Sequence, residues 1–303
     1  MIQVNILWDF KDESWGGGNQ FLRILRKFLR EQECYAESPE AADVILVNSK
    51  DKLPEAAWLK QKYSSVCVHR IDGIFSLYRG EHERHNDQKV YDFNKQYADG
   101  SIFQSHWSKE ASFINGMAPN VFEKVIHNCS DMSLFNHDKK ILRGGKIRLI
   151  TTSWSDNIKK GFDIYKMIDN QLDFNKFEYV FVGRSPFSFK NIQSKGILNS
   201  AEIASELKQA HIFVTATQVD ACSNSLIEAL SCGLPSVALN SGGSPELVKE
   251  GGVVFDSDNV IESINEVADN LSSYASKIQV DSILGVGPAY YNFMEEVFNE
   301  KKD

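Results

Sequence analysis

Short apolar runs and amphipathic stretches alternate along most of the chain. Ile2–Trp8 reads as a strand, and Asn19–Arg30 sets Phe21, Leu22, Ile24, Leu25, Phe28 and Leu29 at helical spacing. Val44–Asn48, Val66–His69, Ser101–Gln104 and Val121–His127 are apolar runs bounded by polar turns, the pattern of buried parallel strands. The periodicity pauses near residues 131–145, in DMSLFNHDKKILRGG, whose charge and glycines predict a linker. It restarts with strands at Arg148–Thr152, Tyr179–Val182, Ile212–Thr215 and Ser236–Leu239. Helices at Phe162–Gln171, Ala201–Ala210 and Ser223–Cys232 lie between them. Repeated strand–helix–strand units predict parallel sheets covered on both faces, here an α/β chain of two domains. The boundaries expected are 1–135 and 136–286, with a last helix around Pro288–Glu300 in the remaining 287–303.

Composition narrows the class. The 303 residues suit two domains, and 42% hydrophobic with 24% charged residues is ordinary for a soluble globular protein. A formal charge of -8 leaves no cation surplus for broad nucleic-acid binding. Five cysteines, an odd number with no CxxC pair, read as reduced thiols in a cytoplasmic protein, which leaves the Asn128-Cys129-Ser130 sequon idle. The start, MIQVNILWDF, lacks the features of a signal peptide, and no stretch approaches the ~20 apolar residues of a membrane span. Arg23, Arg26, Lys27 and Arg30 form a basic stripe on the first helix. Membrane-surface contact stays open on that ground, a core helix with a solvated face being the commoner arrangement.

The chemistry concentrates in Thr215–Phe255, TATQVDACSNSLIEALSCGLPSVALNSGGSPELVKEGGVVF. Asp220 and Glu228 stand eight positions apart across a turn that opens a helix. Carboxylates accept hydroxyl protons, and a helix N-terminus holds phosphate through its first amides. Together they suit a sugar joined to a diphosphate.

This segment resembles the donor-binding half of the retaining glycosyltransferases of family four. These carry two Glu residues separated by seven others, then a run like EAxxCGxPVVAxxxGGxPE; the run here is EALSCGLPSVALNSGGSPE, and Asp220 stands for the first Glu. The resemblance is strong over most of residues 145–260 and holds only in outline before that. It implies the GT-B fold, two Rossmann-like domains with parallel sheets facing across a cleft, and a last helix that crosses back onto the first domain. It also implies transfer of a sugar, with retention, from a UDP- or GDP-sugar to a hydroxyl of a glycan or lipid-linked acceptor. No metal or other cofactor is expected.

Site roles follow from the same likeness. Glu228 would bind the ribose hydroxyls, and Asp220, one methylene shorter than Glu by about 1.5 Å, the sugar. Amides of Ser223, Asn224 and Ser225 would hold the diphosphate, with an N-cap role open for Ser223 or Asn224. Lys160, in the Lys-Gly pair of TTSWSDNIKKGFDIYKMID, would face the leaving diphosphate. The Arg usual five or six residues earlier is replaced by Ser155 or Trp154, so Lys159 or Arg184 becomes the candidate second cation. Ser153 and Arg184, at strand ends, and Gly17 and Gly18, in a glycine-rich turn after the first strand, complete the expected donor contacts. His69 and Asp72 would lie in the cleft near the sugar or acceptor.

Asp256-Ser257-Asp258 reads as a helix cap rather than a DxD metal motif, and Glu81–His85 as a solvated charge run. A dinucleotide-binding oxidoreductase is disfavoured because Phe21 takes the place of the third fingerprint glycine. A nucleotide-sugar epimerase and a catalytically silent nucleotide-binding module remain alternatives.

Overall fold

The structure is a computed structural model that describes residues 1–11, 16–138 and 145–302; the part of the expected linker at 139–144 lies outside them. The chain divides into two compact units, Met1–Asn128 with Asp281–Asp303, and Cys129–Val280.

The first unit contains β1 (Val4–Leu7), α1 (Gly16–Glu31), β2 (Val44–Asn48), α2 (Leu53–Tyr63), β3 (Val66–Ile71), α3 (Phe75–Arg79), α4 (Arg84–Tyr97), β4 (Gly100–Phe103), α5 (His106–Ile114) and β5 (Phe122–Val125). Its five strands are parallel and lie in chain order, β1-β2-β3-β4-β5. Strands β2, β3 and β4 are buried along their whole length, which explains the apolar runs of Val44–Val47 and Val66–Val68 and requires partners for the buried Asn48, His69 and Arg70. Leu7, Ile45, Val47 and Cys67 pack with Ala56 and Leu59 of α2 and Phe93 of α4. The four basic residues of α1 are engaged within the unit. Arg30 pairs with Glu37, Lys27 with Glu31, Arg26 lies over Phe10, and Arg23 donates to the Lys11 carbonyl.

The second unit contains β6 (Ile147–Ser153), α6 (Phe162–Gln171), β7 (Phe177–Gly183), β8 (Gln193–Gly196), α7 (Ser200–Leu207), β9 (Ile212–Thr215), α8 (Asn224–Ser231), β10 (Ser236–Leu239), α9 (Ser244–Val248), β11 (Gly252–Phe255), α10 (Val260–Asp269) and α11 (Leu271–Ala275). Its parallel sheet has the order β11-β10-β9-β6-β7-β8. The chain leaves β6 toward β7 and β8, then returns to place β9 on the other side of β6. Adjacent crossovers therefore diverge at the carboxyl ends of β6 and β9, where sheets of this kind open a binding crevice. Before α10, Asn259 holds the cap position and its side chain accepts from the Asp256 amide, so the Asp256–Asp258 carboxylates do not cap that helix.

The last helix, α12 (Ile283–Lys302), belongs to the first unit and starts five residues before Pro288, the start expected from sequence. Its Tyr290 ring packs 5.5 Å from that of Phe21, and its hydroxyl accepts from Arg70 Nε at 3.1 Å.

One carboxylate fixes the segment after β7. Asp169, at 5% exposure, accepts the amides of Lys190, Asn191 and Ile192 at 2.7, 2.7 and 2.8 Å. Bonds to a charged acceptor contribute about 1.5–3 kcal/mol each and are partly redundant, so Asp169→Ala is expected to cost roughly 3–4 kcal/mol in urea unfolding. A cost below about 1 kcal/mol would show that this segment is held by its phenylalanines alone.

Candidate active site

The loops after β6 and β9 are stitched together backbone to backbone. The Asn157 side chain accepts the Lys159 amide at 2.8 Å and opens a single tight turn, Ile158–Lys160. The next residue, Gly161, has φ +75°, and a Cβ there would sit 2.2 Å from the Ala216 carbonyl oxygen. Only glycine allows that approach. The Gln218 amide then donates to the Lys159 carbonyl at 2.7 Å, and the Ala216 amide to the Tyr165 hydroxyl at 2.9 Å. These contacts bring Lys160 Nζ to 3.5 Å from Asp220 Oδ2, with the two side chains only 17% and 25% exposed.

Asp220 is held by a strained support. Val219, before it, has φ +51°, a left-handed conformation that costs a β-branched residue on the order of 1–3 kcal/mol. Its amide donates to Ser241 Oγ at 3.0 Å, and the Asp220 carbonyl accepts the Gly243 amide at 2.9 Å. Gly242, at φ +63°, lies so close that a Cβ would meet the Asp220 carbonyl oxygen at 2.3 Å. The Gly-Gly pair of the sequence motif therefore acts as a backing plate for Asp220, whose Oδ1 accepts the Cys222 amide at 3.2 Å.

Helix α8 follows directly. Ser223 occupies the N-cap position without a side-chain cap, because its hydroxyl bonds that of Ser225 at 3.0 Å. Glu228 is one turn further along. The residue is only partly buried, yet its carboxyl is deep enough that burial raises its pKa to about 8. Among the described residues no hydrogen-bonding or ionic partner engages this carboxyl. Buried polar groups are normally paired, so an unpaired carboxyl opening beside a helix N-terminus is suited to a hydroxyl ligand. Ser244 Oγ, just past Gly243, and Thr152 Oγ1 are also buried with no hydrogen-bond partner among the described residues. Neither was singled out from sequence; lone hydroxyls carry no spacing signal.

On the other side of β6, Ser153 donates its hydroxyl to the Ser155 carbonyl at 2.9 Å and accepts the Arg184 amide on its own carbonyl at 3.0 Å. The Arg184 guanidinium rests 5.2 Å from the Trp154 ring centroid. Lys159 Nζ lies 3.4 Å from Gln218 Oε1. Ser153 thus ends β6, and Lys160, Arg184, Asp220, Ser223–Ser225 and Glu228 follow the carboxyl ends of β6, β7 and β9 in loops or in α8.

The first unit corrects two expectations. His69 lies inside β3 rather than at its end and is fully buried. Its Nε2–H donates to the Ser49 carbonyl at 2.7 Å, its Nδ1 faces Asn94 Nδ2 at 3.3 Å, and its ring abuts Phe93. Burial lowers its pKa to about 4, so it is neutral near pH 7 and presents no nitrogen to a ligand. Gly17 and Gly18 are in the first turn of α1 instead of a preceding loop, and a Cβ at Gly18 would meet nothing within 4 Å.

Asp72 is largely spent within the protein. Its Oδ1 accepts from Arg70 at 2.8 Å and from Gln104, and its Oδ2 from Asn48 at 3.2 Å. Arg70, wholly buried, also donates to Asn48, Tyr290 and Asn128. The cluster ties the carboxyl ends of β2, β3 and β4 to α12. Arg70 was not anticipated, since a buried arginine in a strand is visible only once its distant partners converge.

Residues 153–273 match the family model described as Glycosyl transferases group 1. No curated protein matches the chain by sequence. Among solved structures, Anabaena Alr3699/HepE in complex with UDP-glucose is similar, with a TM-score of 0.69, 15% identity and 100% of each chain covered. The sucrose-phosphate synthase (tll1590) from Thermosynechococcus elongatus has a TM-score of 0.76 at 13% identity, covering 99% of this chain and 100% of that one. The protein accordingly has the GT-B fold of two parallel-sheet α/β domains, and the likeness to group 1 glycosyl transferases lies within the second of them, over residues 153–273.

Proposed function

We propose that the chain is a retaining glycosyltransferase that moves a sugar from a UDP- or GDP-sugar to a hydroxyl of a glycan or lipid-linked acceptor. The observation that carries the reading is the unpaired, deep carboxyl of Glu228 on the helix that opens beside the Lys160–Asp220 pair. In this reading Glu228 receives both ribose hydroxyls, which two carboxylate oxygens accept at once. Lys160 and the first amides of α8 stabilise the diphosphate as it departs, where charge grows in the transition state. Asp220, backed by the Gly242-Gly243 turn, orients the donor sugar while oxocarbenium character develops. The acceptor hydroxyl enters on the face the diphosphate leaves, and a phosphate oxygen takes its proton. Lys160 and the helix supply the positive potential, so the scheme needs no metal. His69 has no part in it.

A cytoplasmic setting is proposed with it, in keeping with five buried cysteines that form no disulfide among the described residues; among the same residues no helix is long and apolar enough to cross a membrane.

The test is incubation of the purified chain with UDP-glucose or GDP-mannose, following free UDP or GDP by chromatography. Slow release above the protein-free blank supports a transferase. Binding without release supports a silent module, interconversion of the sugar without acceptor an epimerase. Failure to bind either nucleotide overturns the reading.

A further inference from the structure

A departing diphosphate carries several negative charges, whereas Lys160 shares its single positive charge with Asp220 at 3.5 Å. Two more cations stand at the same edge of the sheet. Lys159 Nζ has Gln218 Oε1 beside it. Arg184 differs, because among the described residues no hydrogen bond or ion pair occupies its guanidinium, which lies over the Trp154 ring. Trp154 is 41% exposed, a large aromatic face left open where the central strand β6 ends.

The support beneath Arg184 is rigid. Its amide is bonded to the Ser153 carbonyl, and the far end of its loop is locked by the three amides on Asp169. Between these anchors Phe187 stacks edge-on against Phe162 and Phe189, at 6.0 and 5.3 Å. A stacked guanidinium keeps its in-plane N–H groups available, the geometry that pairs with phosphate oxygens.

We infer that Trp154 is a positioning residue that holds Arg184 as the second cation for the donor's diphosphate. The inference rests on the nucleotide-sugar reading above and adds to it a division of labour. Arg184 touches the phosphates, and Trp154 acts only through Arg184.

The test measures the Kd of UDP, or of GDP if that binds better, by calorimetry at low and high KCl. Arg184→Gln is expected to weaken binding about 10- to 50-fold and to flatten its salt dependence. Trp154→Ala is expected to weaken it roughly 3- to 10-fold, while Trp154→Phe, which keeps an aromatic face, stays within about twofold. The double variant Trp154→Ala/Arg184→Gln should bind no more weakly than Arg184→Gln alone, because the ring has nothing left to position. Arg184→Gln within twofold of the unsubstituted chain overturns the inference. So does a Trp154→Ala loss of the same size in the Arg184→Gln background, which would place the ring directly against the ligand. In both cases the glycosyltransferase reading survives. An unsubstituted chain that binds neither UDP nor GDP removes the two together.

Discussion

Glu228→Gln is expected to lose UDP or GDP binding by about 100-fold or more, while making the free protein more stable at pH 8. The loss follows from replacing two charge-assisted hydrogen bonds to the ribose with weaker, mismatched ones. The stability gain follows from linkage. The carboxyl has a folded pKa of about 8 against an ordinary 4.5, raised by burial, so the folded state holds this proton more tightly than the unfolded chain. Unfolding therefore releases a proton between roughly pH 4.5 and 8. Across that window the group erodes stability as pH rises, and above it the full penalty applies. Gln carries no such penalty. Allowing for the water that reaches this partly buried residue, the gain should be on the order of 2 kcal/mol at pH 8 and vanish near pH 4.5, as read from urea midpoints. Ribose hydroxyls donating to the carboxylate would also lower its pKa, so nucleotide binding at pH 7 should release protons and tighten toward pH 8. Proton uptake, measured calorimetrically in buffers of different ionisation enthalpy, would contradict the assignment of Glu228.

Lys160→Met should lower kcat about 100- to 1000-fold at saturating donor, the usual consequence of deleting a group aimed at developing charge. Donor affinity should fall less, since the amides of α8 remain. Stability should drop by only about 1 kcal/mol, because the Lys160–Asp220 pair is partly exposed. Adding Asp220→Asn should restore stability by removing the unpaired carboxylate, while turnover stays low because Asp220 itself orients the donor sugar. Full turnover of Lys160→Met would show that another group meets the leaving diphosphate.

Much of this arrangement was legible before any coordinates. Most strands of both units announce themselves through apolar runs, whereas β8, the polar and mostly exposed QSKG, carries none; the donor segment stands out because its carboxylates, helix start and Gly-Gly turn occur at fixed spacing. What the pattern misses is set by partners far away in sequence. His69 looked like a strand-end ligand, but Ser49 and Asn94 already occupy its ring. The triple glycine looked like a turn and is the start of α1. Val219 carries no mark of its left-handed backbone, which exists because Ser241, 22 residues on, accepts its amide. Arg70 finds its partners in Asn48, Asp72, Asn128 and Tyr290, the last of them 220 positions later. The first sheet's unreversed strand order was equally hidden, since alternation of strand and helix does not fix which neighbours pair.

That late tyrosine has a consequence for synthesis. A nascent chain emerging from the ribosome presents residues 1–128 well before Asp281–Asp303, the segment that completes their unit. The intervening unit is contiguous and can collapse as soon as it clears the exit tunnel. Its predecessor must wait with the Phe21 ring and the Arg70 guanidinium still lacking their Tyr290 partner, a period in which chaperone capture competes with closure.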